Sequence, residues 1–153
     1  MSRFKRILHP SDFSRASGAA FAKAVQLAKD NRAELVLVHV FTLPLQMMGE
    51  AYIPPDAYAE IEASTRAWAK KGLDKLLAKA KQSGVRARGL VLEGIPHARI
   101  TRAARSNRTD LIVMGTHGRR GFSHAMLGSD AERVVRESPV PVLLVRHPES
   151  RRP

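Results

Sequence analysis

Glu34-Leu35-Val36-Leu37-Val38-His39-Val40-Phe41 is a nearly continuous run of apolar and β-branched residues. A strand with no solvent-facing side is covered on both faces, as in a parallel sheet sandwiched by helices, so this run is read as a central strand. Upstream, Lys5 to His9 forms a shorter apolar strand that breaks at the turn Pro10-Ser11-Asp12-Phe13-Ser14. Phe21, Ala24, Val25 and Ala28 then recur at helical spacing, with Lys23, Gln26 and Lys29 off the stripe.

Downstream, Thr42 to Pro54 holds Pro44, Gly49, Pro54 and the pair Met47-Met48 without regular period, and reads as a longer loop whose methionines offer an interaction surface. From Pro55, a good first-turn residue, the face Ile61, Thr65, Trp68, Gly72, Leu76 and Ala80 traces one long helix that Gly84 stops. Val85 to Glu93 reads as a third strand, with Val85, Ala87, Gly89 and Val91 on one side and Arg86, Arg88 and Leu90 on the other. Gly94-Ile95-Pro96 opens a third helix that runs to about Asn107, and Leu111 to Met114 is another buried strand. A fourth helix from Ser129 ends before Pro139 and leads into Val140 to Val145, where Pro141, which cannot donate to a ladder, places the strand at a sheet edge. Five strands alternate with four helices. That order predicts an α/β fold, a single-domain open parallel sheet with helices on both faces. Ligands of such sheets collect at the carboxyl ends of strands where the winding reverses, which directs attention to the loops after strands one, two and four.

Composition narrows the function classes. A chain of 153 residues is one ordinary domain, and 44% hydrophobic with 26% charged residues is a globular balance. No apolar run approaches the roughly 18 to 20 residues of a spanning helix. Met1 to Pro10 lacks a long apolar segment and a small-residue cleavage site, so a cytoplasmic location is expected. With no cysteine, there is no disulfide, thiolate nucleophile or cysteine-built metal site. The net charge of +12 predicts anionic ligands or partners.

The loop after strand four is the richest in chemistry. Gly115 and Gly118 let backbone N–H groups approach a phosphate, Arg119 and Arg120 bring charge, and Gly128-Ser129 opens a helix whose N-terminus favours anions. A plainer alternative is that these glycines only turn the chain and that Ser129 with Glu132 forms a capping box. Glycines at 115, 118 and 121 do not give the dinucleotide fingerprint GxGxxG, and no P-loop pattern occurs. Neither a GxSxG elbow nor a carboxylate evidently poised to activate water is present, so no catalytic residue is assigned. His117 and His124 bracket the loop without metal-ligand spacing, and no protein-built metal site is expected.

The run Gly115-x2-Gly118-x9-Gly128-Ser129 resembles the ATP-binding pattern of the universal stress protein family, G-x2-G-x9-G-[S/T], in its position after a fourth strand. Pro10-Ser11-Asp12-Phe13-Ser14, Leu37-Val38-His39-Val40, Gly94-Ile95-Pro96 and Val140-Pro141-Val142 extend the resemblance over nearly the whole chain. It implies a Rossmann-like sheet of order 3-2-1-4-5, similar to the adenine nucleotide alpha hydrolases, spanning residues 1–148, with 149–153 left as a basic tail. It also implies an ATP site, with Mg²⁺ accompanying the nucleotide. Asp12, beside Pro10 and Ser11, would contact ribose or adenine, and Val40 would hold the adenine edge through its backbone. Gly115, Gly118, Gly128 and Ser129 would surround ribose and phosphates, with Met114, Thr116, His117, Arg119, Arg120 and Gly121 as neighbours. The implied role is an adenine-nucleotide sensor in the stress response with at most slow ATP hydrolysis, dimerising through Val140 to Val145. Asp130 departs from the family pattern: its carboxylate either repels phosphates, helps hold Mg²⁺ against them, or simply complements the positive end of the helix. His39 reads as a strand residue near the ligand rim.

A second reading starts from charge. Arg99, Arg102, Arg105 and Arg108 fall every third residue along the third helix, and Arg146, Arg151 and Arg152 make a basic end. Nonspecific nucleic-acid binding at low salt is expected from such a surface, whereas 5% aromatic residues give no stacking platform for specific recognition.

Overall fold

The computed structural model describes residues 3–43, 52–117 and 127–148. Nine elements alternate in chain order: β1 (Arg6–Pro10), α1 (Arg15–Asn31), β2 (Glu34–Phe41), α2 (Pro55–Gln82), β3 (Ala87–Glu93), α3 (Pro96–Ser106), β4 (Leu111–Gly115), α4 (Ser129–Glu137) and β5 (Val142–Val145). The strands form one parallel sheet of order β3-β2-β1-β4-β5. The chain therefore winds one way from β1 to β3 and the other way from β4 to β5, and the reversal lies between β1 and β4.

Side-chain alternation along the strands divides the core into two halves. Ile7, Leu35, Leu37, Leu111 and Val113 point to one face, where Ala24 and Ala28 of α1 and Leu73 and Ala80 of α2 cover them. Leu8, Val36, Val38, Ile112 and Met114 point to the other, against Ile100, Ala103 and Ala104 of α3 and Ala131 and Val134 of α4. The strand Glu34–Phe41 is buried from Leu35 to His39, as its unbroken apolar character requires.

Helix ends follow local chemistry. Ser14 caps α1 by accepting from the Ser17 N–H at 3.2 Å, and Arg32 at φ 56° closes it. Pro55 and Pro96 occupy first-turn positions of α2 and α3, where a missing N–H costs nothing. Gly84, at φ 82°, takes a left-handed turn after α2.

Three details differ from the sequence reading, the buried stripe of α2 and the starts of β3 and β5, and two others follow it. The buried stripe of α2 is Ala69, Leu73 and Ala80, supported by Leu76 and Leu77, while Ile61 and Trp68 are exposed by 37% and 49%. The first half of α2 thus carries large apolar residues that the sheet does not cover. In β3 the expected alternation holds: Ala87 and Val91 pack on the α1–α2 half of the core and Leu90 on the other. The outer strands are also shorter than their apolar runs: Val85 and Val140 precede β3 and β5. Pro141 lies just before β5, at the sheet edge, and its carbonyl accepts from the Ile112 N–H at 3.0 Å.

Candidate functional site

At the carboxyl end of the sheet, over the reversal between β1 and β4, lies a cleft of about 640 Å³. Pro10, Ser11 and Asp12 reach it from the β1–α1 turn, Val40 from β2, and Met114, Gly115, Thr116 and His117 from the end of β4. Gly128, Ser129 and Asp130 enter with the start of α4. These positions, read as separate motifs along the chain, form one continuous wall.

The β1–α1 turn is held from several sides. The Ser11 N–H donates to the Val38 carbonyl at 2.8 Å, so the turn hangs on β2. Ser11 Oγ accepts from the Phe13 N–H at 3.1 Å and lies 3.3 Å from Ser17 Oγ. Asp12 Oδ1 accepts from the Ser14 N–H at 2.9 Å, an Asx turn that fixes the carboxylate at the cleft margin. His39 is buried behind this wall and does not line the cleft. Its Nδ1 lies 2.7 Å from the Ser11 carbonyl, and since a carbonyl only accepts, that nitrogen carries the proton. His39 is therefore a support for the turn and not a residue of the rim.

On the opposite side, the Gly128 N–H donates to the Thr116 carbonyl at 2.7 Å, and the Thr116 N–H donates to Val145 at 3.2 Å. These bonds bring the start of α4 to the end of β4 across the intervening segment. Gly128 is the N-cap of α4 and Ser129 its first helical residue, with no side-chain cap bond. The capping box of Ser129 and Glu132 is thus absent, and the Ser129 hydroxyl is not committed to helix capping. Asp130 and Glu132 lie in the first turn, where carboxylates complement the helix dipole.

Three lining residues carried no signal in the sequence, Ser17, Ile100 and Ala131, and Pro96 was read only as a helix start. Pro96 and Ile100 place the first turn of α3, which has no acidic residue, beside that of α4. Two helix N-termini therefore meet at the cleft, each with backbone N–H groups beyond the reach of intrahelical bonding. Gly115 adds open backbone there. A Cβ at this position would meet Ala16 O at 3.4 Å and His117 O at 3.5 Å, ordinary contacts. Internal crowding does not demand the glycine.

Gly118, Arg119, Arg120, Gly121 and His124 lie outside the described residues, as do Met47-Met48 and the tail 149–153. Among the described residues, no group of three or more His, Asp or Glu side chains could hold a metal ion, and no helix is long and apolar enough to cross a membrane. The arginine row of α3 is not one surface. Arg99 is partly buried with its chain over Gly94, and Arg108 follows the helix at φ 52°, leaving Arg102 and Arg105 exposed on it.

Residues 3–146 match the model of the universal stress protein family. The chain belongs to that family. It is 30% identical to the universal stress protein MJ0577 of Methanocaldococcus jannaschii, over 96% of this chain and 98% of that protein. The solved structure of MJ0577 superposes with a TM-score of 0.83 at 27% identity, covering 94% of this chain and 96% of the other. UspA of Lactobacillus plantarum superposes at 0.81 with 28% identity, over 95% and 100% of the two chains. More distant members share the fold, among them a universal stress protein in complex with cAMP (22% identity, TM-score 0.68, 95% and 99% covered). A further one, from Archaeoglobus fulgidus, is in complex with dAMP (19%, 0.63, 95% and 100%).

Proposed function

We propose that this universal stress protein binds an adenine nucleotide, ATP with Mg²⁺, in the cleft over β1 and β4, and acts as a homodimeric nucleotide sensor with at most slow hydrolysis. The observation that carries the reading is the convergence of Asp12, Val40, Gly115, Gly128 and Ser129 on one cleft of about 640 Å³. That volume lies within the roughly 300–1,000 Å³ common to small-molecule sites. Val40 offers an edge-strand-like backbone for the base, Asp12 a carboxylate for a ribose hydroxyl, and the two helix N-termini a positive field for phosphates. Gly115 fits this use, since packing within the protein gives no other reason for a bare backbone there. Mg²⁺ would arrive on the phosphates, with Asp130 the nearest carboxylate of α4. The cAMP and dAMP complexes of distant relatives agree with an adenylate ligand.

Residues 1–148 form the nucleotide-binding unit in this reading and 149–153 a basic tail, in a cytoplasmic protein. Val140 to Val145 is the dimer surface: β5 is an edge strand, with Leu143 exposed by 37% and Val135 of α4 by 48% beside it.

Calorimetric titration of Mg·ATP into nucleotide-stripped protein at about 150 mM salt tests the site, with inorganic triphosphate as the control for charge attraction. Saturable binding of ATP and little of triphosphate is expected. Equal binding of both would replace the nucleotide site with a general polyanion surface.

A further inference from the structure

On the other side of the β1–α1 turn, a second groove of about 460 Å³ runs between α1 and α2. Its α2 wall carries Lys71, Lys75 and Lys79, all exposed, with no ion pair among the described residues. The neighbouring Lys70 is by contrast paired with Asp74 at 2.9 Å. No acidic residue lines the groove. Successive lysines four residues apart stand about 6 Å apart along the helix axis. At the end of this row Trp68 is half-exposed, edge-on to Phe13 at 5.4 Å and to the buried His39 at 5.8 Å. Phe13 is set there by an unusual backbone, φ 64°, and seats its ring against Gly72, where a Cβ would come within 2.7 Å of it. The helix therefore has to be glycine at the point where the ring lies against it. The opposite wall is the cap residue Ser14 with Ser17, Gly18 and Phe21 of α1, and it leaves open space above the glycine.

We propose that this groove is a docking surface for an acidic, extended segment of a partner protein that carries an aromatic or aliphatic anchor. Alternate residues of an extended chain repeat every 6.6 Å or so, close to the lysine spacing, so carboxylates at every second position face the row one for one. The anchor packs on Trp68 and Phe13. Charge complementarity favours an anionic occupant, and the ring arrangement favours a peptide over single-stranded nucleic acid. Phe13 is already stacked on His39 at 4.5 Å, which leaves Trp68 without the run of platforms that successive bases need.

Trp68 is the single tryptophan of the chain, so its emission reports on this groove directly. The test is a fluorescence titration of the whole protein with a peptide that has glutamate at alternate positions and a terminal phenylalanine. The same titration is run on Lys75→Glu and on Lys71→Glu/Lys79→Glu, whose folding is checked by circular dichroism and thermal midpoint. A saturable change in emission is expected, with Kd raised about tenfold or more by each charge-reversed variant. Unchanged emission, affinity insensitive to the lysine changes, or equally lysine-dependent binding of a short oligothymidylate would each overturn the proposal.

Discussion

The two faces of the sheet are built differently. α1 and α2, with 17 and 28 residues, close one face over its length, whereas α3 and α4 have 11 and 9. The long helices bring area, and their face accommodates buried His9 and His39 together with Phe13 and Phe21. The short helices cover an aliphatic half-core of Leu8, Val36, Val38, Ile112 and Met114, and their N-termini end at the cleft. One face supplies most of the enclosure, and the other presents the backbone charge that a phosphate needs. Changes on the closed face should therefore act on stability, and changes at the open cleft on binding.

The largest stability effect is expected at Leu37, fully buried on the closed face in the interior strand β2. Leu37→Ala should cost about 2–5 kcal/mol through lost transfer energy and the cavity left behind. Chemical denaturation measures it, and a cost below 1 kcal/mol would mean that the α1–α2 layer collapses readily onto the sheet.

His9 should make the same face sensitive to acid. It is wholly buried, its Nδ1 donates to the Val113 carbonyl at 2.8 Å, and its Nε2 has no hydrogen-bond partner. Burial pushes its pKa down from 6.5 to about 4, against smaller upward pulls from the Val113 bond and the Asp12 charge. Between those values the unfolded chain binds the proton and the folded chain does not, so stability rises with pH across that window. The contribution is complete above about pH 6.5 and is lost as pH falls toward 4, on the order of 3 kcal/mol in all. Denaturation midpoints of wild type and His9→Leu at pH 7 and pH 4.5 test this: the variant should lose most of the slope, and an unchanged slope would assign it to other groups.

At the open cleft the expected effect is on binding. Gly115→Ala would place a Cβ at ordinary contact distance from the Ala16 and His117 carbonyls, so stability should change little while ATP affinity falls about tenfold or more. Calorimetry together with a thermal midpoint separates the two. A folded variant with unchanged affinity would move the ligand away from β4.

Much of this was legible in the sequence because it is carried by local patterns. The unbroken run Glu34–Phe41 marks a doubly covered strand, and Pro55 and Pro96 mark helix starts. The glycine spacing after β4 and the turn Pro10-Ser11-Asp12 point to the carboxyl end of the sheet, where the cleft lies. What escaped depends on how elements lie together. Trp68 weighs heavily in any periodicity, yet α2 meets the sheet through Ala69 and Leu73, one residue round the helix. Ser17, Ile100 and Ala131 are ordinary helix residues, and only the crossing of α1, α3 and α4 makes them cleft wall. His39 looked like a rim residue because its strand ends at the site, but strand alternation turns it to the α2 side.

The smallest expected effect contrasts two serines at helix starts. Ser14 caps α1 on the closed side, and Ser14→Ala should cost about 1 kcal/mol by leaving the Ser17 N–H without its acceptor. Ser129 stands one position inside α4, behind the cap residue Gly128, and makes no cap bond. Ser129→Ala should therefore stay within about 0.5 kcal/mol of wild type in stability, as for surface changes away from special features. Ser129 nevertheless lines the cleft at the first turn of α4, so loss of one hydrogen bond from its hydroxyl to a phosphate should weaken ATP binding about three- to tenfold. Parallel denaturation and calorimetry on the two variants separate the roles. If Ser129→Ala proved as costly to folding as Ser14→Ala, the hydroxyl would be holding the helix start and not a ligand.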